Sequence, residues 1–146
     1  MRYVVAAMLV IVGVIHLLPL SGALGAERLA ALYGVALSDP NLVILMRHRA
    51  VLFGLLGLFF IFAALRRSMQ PAAFIAGFAS VLSFLFLAWS AGGYNAQIGR
   101  VFFADIVALG CLVIGATAYA YGTQRQKKWV FEWPVIRARR WRRSLV

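Results

Sequence analysis

Four long apolar runs divide the chain, at residues 3–24, 42–65, 71–91 and 101–122. An α-helix needs about 20 mostly apolar residues to cross the hydrocarbon of a bilayer, and each run meets that length. Charge or a helix breaker bounds every one of them. Asp39-Pro40 has the form of an N-cap followed by proline in the first turn. Arg66-Arg67 closes the second run, Pro71 opens the third and Gly92-Gly93 closes it, and Gly122 followed by Arg125 closes the fourth. The pattern predicts an all-α fold: a four-helix transmembrane bundle over residues 1–122 and a separate tail over 123–146. Between the first two runs, Glu27–Tyr33 carries Leu29, Leu32 and Tyr33 at helical spacing, which predicts a short helix lying at the outer membrane interface.

Small residues predict where the helices meet. Ala104, Ala108, Cys111, Gly115 and Ala118 follow steps of three and four along the fourth run, and Ala50, Gly54 and Gly57 do the same on the second. In lipid there is no water to drive helices together, so close backbone approach at small residues is the main source of packing energy. Cys111 belongs to that seam, and as a single cysteine it has no disulfide partner within the chain.

Composition supports the same class. The 146 residues are 64% hydrophobic and only 13% charged, with mean hydropathy +0.88; a water-soluble domain has about 25% charged residues. The N-terminal run also has the shape of a secretory signal, with Arg2 before it and Ser21-Gly-Ala-Leu-Gly-Ala26 after it. Its apolar stretch exceeds the usual 7–15 residues of a signal core, and it contains His16 and Pro19. Retention as a span is therefore expected.

The net charge of +11 is unevenly distributed: eight of the fifteen Lys and Arg residues follow Gly122. With the N-terminus inside, Arg2, Arg66, Arg67 and those eight lie on the inner side, against Arg28, Arg47, Arg49 and Arg100 outside. The positive-inside rule then predicts a bacterial inner (plasma) membrane protein with both termini cytoplasmic. The tail alternates basic and aromatic character, and Lys127, Lys128, Trp129, Trp133, Arg139, Arg140 and Trp141 are the candidate contacts to anionic inner-leaflet headgroups. Membrane lipid, being the nearer polyanion, is the expected partner of this stretch, and nucleic acid is not.

Ionisable groups inside a bilayer cost about 2.5–3.5 kcal/mol each on insertion scales, so those in the runs carry most functional information. They are His16, Arg47, His48, Arg49 and Asp105. At 1.5 Å per residue, His16 lies about 12 Å, Arg49 about 10 Å and Asp105 about 6–7 Å below the outer ends of their spans. Asp105 is the only acidic residue in a span and calls for a cation, Arg49 or Arg47. Two readings follow. In one, an Arg–Asp pair fixes helix register in a non-catalytic subunit or binding protein for a partner membrane protein, a second copy or a lipid. In the other, His16, Arg49 and Asp105, with Arg47, Tyr94, Asn95 and the serines Ser80, Ser83 and Ser90 beside them, form an outward-opening pocket. A small enzyme or carrier would there hold a quinone, lipid or other amphipathic ligand. No nucleophile–base pair, metal cluster or cofactor loop is readable, so no cofactor or metal is expected, and the first reading is favoured.

The stretches Gly13-Val-Ile-His16-Leu-Leu-Pro19, Glu27-Arg28-Leu, Leu32-Tyr33-Gly34-Val35 and, above all, Arg47-His48-Arg49-Ala50 with Phe53-Gly54 resemble small bacterial four-helix inner-membrane proteins related to the DoxX-like group. The resemblance covers about residues 1–120 and leaves out the tail. It implies the same four-helix bundle, points to Arg49 over Arg47, and raises a quinone or lipid as ligand, since some DoxX-like proteins accompany quinone-linked oxidoreductases. Some relatives are labelled phosphopantetheine adenylyltransferases, but the chain lacks the His-x-Gly-His motif, the glycine-rich phosphate loop and the soluble domain of that enzyme.

Overall fold

The computed structural model describes the backbone of residues 1–143 and the side chains of residues 1–124. The candidate headgroup contacts Lys127, Lys128, Trp129, Trp133, Arg139, Arg140 and Trp141 have their side chains outside the described residues. Five α-helices are present: α1 (Arg2–Leu17), α2 (Ala26–Tyr33), α3 (Pro40–Leu65), α4 (Gln70–Ser90) and α5 (Ala96–Arg143). No strand occurs among the described residues. The fold is all-α, and four segments are long and apolar enough to cross a membrane: Arg2–Leu24, Pro40–Leu65, Arg67–Ser90 and Ala96–Gln124.

Local chemistry sets the boundaries. Asp39 caps α3, its carboxylate accepting from Asn41 N at 2.9 Å, with Pro40 in the first turn. Two boundaries differ from the hydropathy pattern. The first span does not stay α-helical: from Leu18 to Leu24 it tightens into a 3-10 helix, with Pro19 in the first turn. Proline has no N–H to continue the i→i−4 ladder, which explains the change of winding at that point. The fourth helix starts at Ala96, five residues before the apolar run, because Asn95 Oδ1 accepts from Ile98 N at 2.8 Å. At the other end α5 continues past Gly122 and Arg125 to Arg143. Charge there ends the apolar run but not the helix, so the tail begins as a continuation of the last span.

The four long helices are arranged α1–α3–α4–α5 around the bundle, with α1 packed most closely on α3 and α5. Their shared core comprises Val5, Leu9 and Val12 of α1, Phe60, Ala63 and Ala64 of α3, Ala73, Phe74 and Val81 of α4, and Ala108, Leu112 and Ala118 of α5. Large apolar side chains such as Ile44, Leu55, Ile75, Phe86, Phe103 and Ile114 point outward. Such a surface suits hydrocarbon as solvent.

The small-residue seams lie inside. Gly13 and Gly57 cross with backbones in contact: a Cβ on Gly57 would stand 2.8 Å from Gly13 O, and one on Gly13 would stand 2.9 Å from Gly57 O. On α5, Ala108, Gly115 and Ala118 are buried and Ala104 and Cys111 half-buried, and a Cβ on Gly115 would meet Phe74 at 3.0 Å and Met8 at 3.2 Å. Because α1 supplies one side of two such interfaces, cleavage after Ala26 would dismantle the bundle. Intact mass spectrometry of protein purified from membranes is expected to show the N-terminal segment present; a mass lacking residues 1–26 would contradict this packing.

Two ends can be distinguished. One carries α2 and residues 91–95, where α3 and α5 begin. The other carries Arg2, the Arg67–Met69 turn and the start of α4.

Candidate functional site

A partly open cavity of about 250 Å³ lies at the α2 end, lined from every long helix and from α2. Ile15, His16, Leu18 and Pro19 form one wall, Arg49 and Phe53 a second, Gln97, Arg100, Val101, Ala104 and Asp105 a third, and Phe84 closes the side toward α4. Ala31, Leu32 and Tyr33 of α2 form a cover.

The cover is fixed at its C-terminus. Gly34 ends α2 in the left-handed region at φ 65°, where only glycine is at ease. Space also demands glycine, since a Cβ there would stand 2.7 Å from Gln97 Cδ and 3.0 Å from Asn95 Nδ2. The Asn95 amide donates to Tyr33 O at 2.8 Å and to Gly34 O at 3.3 Å. One asparagine therefore both caps α5 and latches α2 onto it. Leu29 and Tyr33 bury the inner face of α2, as their spacing predicts.

Arg49 stands nine residues beyond Pro40 on α3, and Asp105 nine beyond Ala96 on α5. At 1.5 Å per residue both lie about 13 Å along their helices, so the earlier start of α5 brings them to one level. The Arg49 guanidinium carbon sits 5.5 Å from the centroid of Tyr33 and 5.2 Å from that of Phe53. Each such contact is worth about 0.5–2 kcal/mol, comparable in sum to the cost of placing an arginine in a membrane. Arg49 acts electrostatically on Asp105, but among the described residues no hydrogen bond joins them. Both residues line the cavity, as the pocket reading expects. Burial pushes the Tyr33 phenol above its ordinary value, and the Arg49 charge opposes this.

His16 is 3% exposed and fully engaged. Its Nδ1 donates to Val12 O at 2.9 Å, which fixes the neutral tautomer, and its Nε2 accepts from Ser80 Oγ at 3.3 Å. Its ring meets Phe60 edge-on at 5.0 Å and Phe53 at 5.7 Å between centroids. It is a wall of the cavity with no spare hydrogen bond. Ser83 and Ser90 donate to carbonyls one turn earlier, Ser80 O and Leu87 O, both at 2.9 Å, whereas Ser80 serves His16.

Arg47 and Tyr94 stand elsewhere. Arg47 is exposed, and its Nε donates to Ala23 O at 2.9 Å, tying α3 to the 3-10 segment. Tyr94 is 49% exposed and stacks on Phe102 at 5.6 Å; neither residue lines the cavity. Sequence reasoning did not assign Tyr33, Gln97 and Arg100 to the site. A signal was present: Gln97, Val101, Ala104 and Asp105 extend the Ala108 seam upward at helical spacing, and its upper end turns polar. Among the described residues no group of three or more His, Cys, Asp and Glu is placed to hold a metal.

A multi-pass helical protein with a polar-headed cavity near one end of its bundle is the class these features define. Comparison with protein-family models, with characterised proteins and with solved structures finds no match.

Proposed function

We propose that the chain is a polytopic membrane protein that binds an amphipathic small molecule in the α2-end cavity. The oxygen-bearing head of the ligand, a carbonyl or an anionic group, lies against Arg49, and its apolar part lies between Phe53, Phe84 and Val101. One observation carries this reading: the Arg49 guanidinium lines the cavity on two aromatic faces, yet none of its N–H groups is used in a hydrogen bond among the described residues. A buried polar group without a partner costs about 1–3 kcal/mol, more for a charge. Arg47, by contrast, donates from Nε to Ala23 O. Asp105 across the cavity orients the guanidinium by charge and offers an acceptor to any hydroxyl on the ligand.

The distribution of Lys and Arg supports a bacterial inner membrane with both termini cytoplasmic, so the cavity belongs to the outer leaflet. The resemblance to DoxX-like proteins favours a quinone or lipid as occupant. His16 has both nitrogens engaged, with Val12 O and with the Ser80 hydroxyl, and among the described residues Ser80 does not line the cavity, which supports binding or carriage over catalysis.

Native mass spectrometry of the protein released from mild detergent tests this. Wild type is expected to carry a small-molecule adduct that Arg49→Ala loses, a drop of about tenfold or more in occupancy if one charged hydrogen bond is removed. An adduct retained by Arg49→Ala, or none in wild type together with an unstable variant, would return Arg49 to a structural role.

A further inference from the structure

A second cavity, of about 220 Å³, opens at the opposite end of the bundle between α1, the Arg67–Met69 turn, α4 and α5. Arg2, Arg67, Gln70, Tyr119 and Thr123 line it. Its charge is one-sided. The chain has only four acidic residues, Glu27, Asp39, Asp105 and Glu132, and among the described residues none of them lines this cavity. Among the described residues the two arginines therefore face it without a carboxylate. Helices α1 and α4 both begin here, and neither has a side-chain cap, so the positive ends of two helix dipoles add to the arginines. No residue of α3, whose negative end is at this level, contributes to the lining.

Gln70 gives the independent observation. It is 4% exposed, one of the two buried polar side chains among the described residues. The other, His16, has both nitrogens bonded. The Gln70 amide makes no side-chain hydrogen bond among the described residues, and no polar atom there is completely sealed and unsatisfied. Gln70 is itself one of the residues that line the cavity. A buried amide left open toward a pocket with two arginines is a donor kept for a ligand.

We propose that this cavity binds a phosphate-bearing anion, with Arg2 and Arg67 as the charged clamp at its mouth and Gln70 as its buried hydrogen-bonding floor. Thr123 Oγ1 donates to Tyr119 O at 3.0 Å, which leaves its lone pairs rather than its proton toward the opening, so the arginines and Gln70 do the binding. Arg2 also lies 5.2 Å over the Tyr3 ring, which holds it at the rim. Phosphate chemistry has two sources at a membrane surface, a phospholipid headgroup and free inorganic phosphate.

The test uses the full chain in detergent, with phosphatidylglycerol titrated at fixed salt and bound lipid counted by native mass spectrometry. The proteins compared are wild type, Arg2→Gln/Arg67→Gln, Gln70→Leu and the charge-matched Arg28→Gln/Arg66→Gln, whose two arginines are exposed and do not line the cavity. Loss of charged hydrogen bonds predicts about tenfold or greater weakening of the tightest lipid in Arg2→Gln/Arg67→Gln, and about fivefold in Gln70→Leu, which keeps charge and bulk. The charge-matched control is expected to keep it. Equal affinity in wild type and both cavity variants overturns the site, and so does an equal loss in the control, because the effect would then be net charge alone. If the double variant does not fold, Gln70→Leu decides by itself. Inorganic phosphate separates the sources: arginine-dependent displacement of the lipid at millimolar concentration assigns free phosphate, and lipid binding that resists it assigns the headgroup.

Discussion

Gly57→Leu is expected to prevent the bundle from closing. A Cβ at that position would stand 2.8 Å from Gly13 O, 2.9 Å from Leu17 Cγ and 3.1 Å from Leu17 N. Two of these are backbone atoms, so no rotamer change relieves the clash, and α1 must move away from α3. Overpacking a well-filled core typically costs about 1–3 kcal/mol and more where backbone is displaced; here the upper end or beyond is expected. The loss spreads, because α1 also packs on α5 and carries His16 into the cavity wall. Gly110→Leu is the matched control. Nothing lies within 4 Å of a Cβ at Gly110, and the residue is exposed, so the same substitution is expected to be neutral or to gain up to about 1 kcal/mol from helix propensity. Thermal unfolding in detergent, read by helical circular dichroism and size exclusion, distinguishes the two. Equal melting of Gly57→Leu and wild type would mean that the Gly13–Gly57 crossing does not hold the helices together.

That crossing also shows what the sequence reveals and what it withholds. Spacing alone places Ala50, Gly54 and Gly57 on one face, because a 3.6-residue helix leaves no other arrangement. Spacing cannot name the partner, and Gly13, with no small residue three or four positions away on either side, gives no periodic signal. The four spans are legible because lipid demands length and apolarity and little else. Helix starts are less legible where a polar cap lies among polar residues. Asn95 extends α5 back over Gln97 and Arg100, which by hydropathy belong to a loop, and this shift places Asp105 level with Arg49. Pro19 is visible, yet whether it ends a helix or tightens it depends on what packs behind it. The ambiguity between Arg47 and Arg49 has the same origin. Two residues apart, they project about 200° from one another on a helix, so only one can enter the bundle, and the choice is made by Tyr33 and Phe53. Phe53 is legible as an i+4 neighbour of Arg49. Tyr33 comes from another helix, and no local pattern links the two. Tyr94 precedes α5 in a turn, where no helical period exists to say which way a ring will point.

Ala104→Phe is expected to abolish occupancy of the α2-end cavity while leaving the bundle folded. Ala104 lines the cavity one residue before Asp105 and is half-buried. A benzyl group there has space to enter, since the cavity holds about 250 Å³ and Phe53 and Phe84 are among its other lining residues. Filling a void regains dispersion contacts that its lining otherwise lacks, a term of about 24 cal/mol per Å³ in reverse of cavity creation. Stability is therefore expected to hold or rise by about 1 kcal/mol, whereas ligand occupancy falls by a factor of about 100 or more, because head and tail lose their room together. The combination is diagnostic: a protein selected only for packing has no reason to keep this space, and natural sites often retain function at the expense of stability. Thermal unfolding and native mass spectrometry on one preparation give both quantities. A marked fall in melting temperature would show that the space is too tight to be a site. An unchanged adduct at unchanged stability would place the ligand elsewhere on the molecule, and the open face of Arg49 would then lack an occupant.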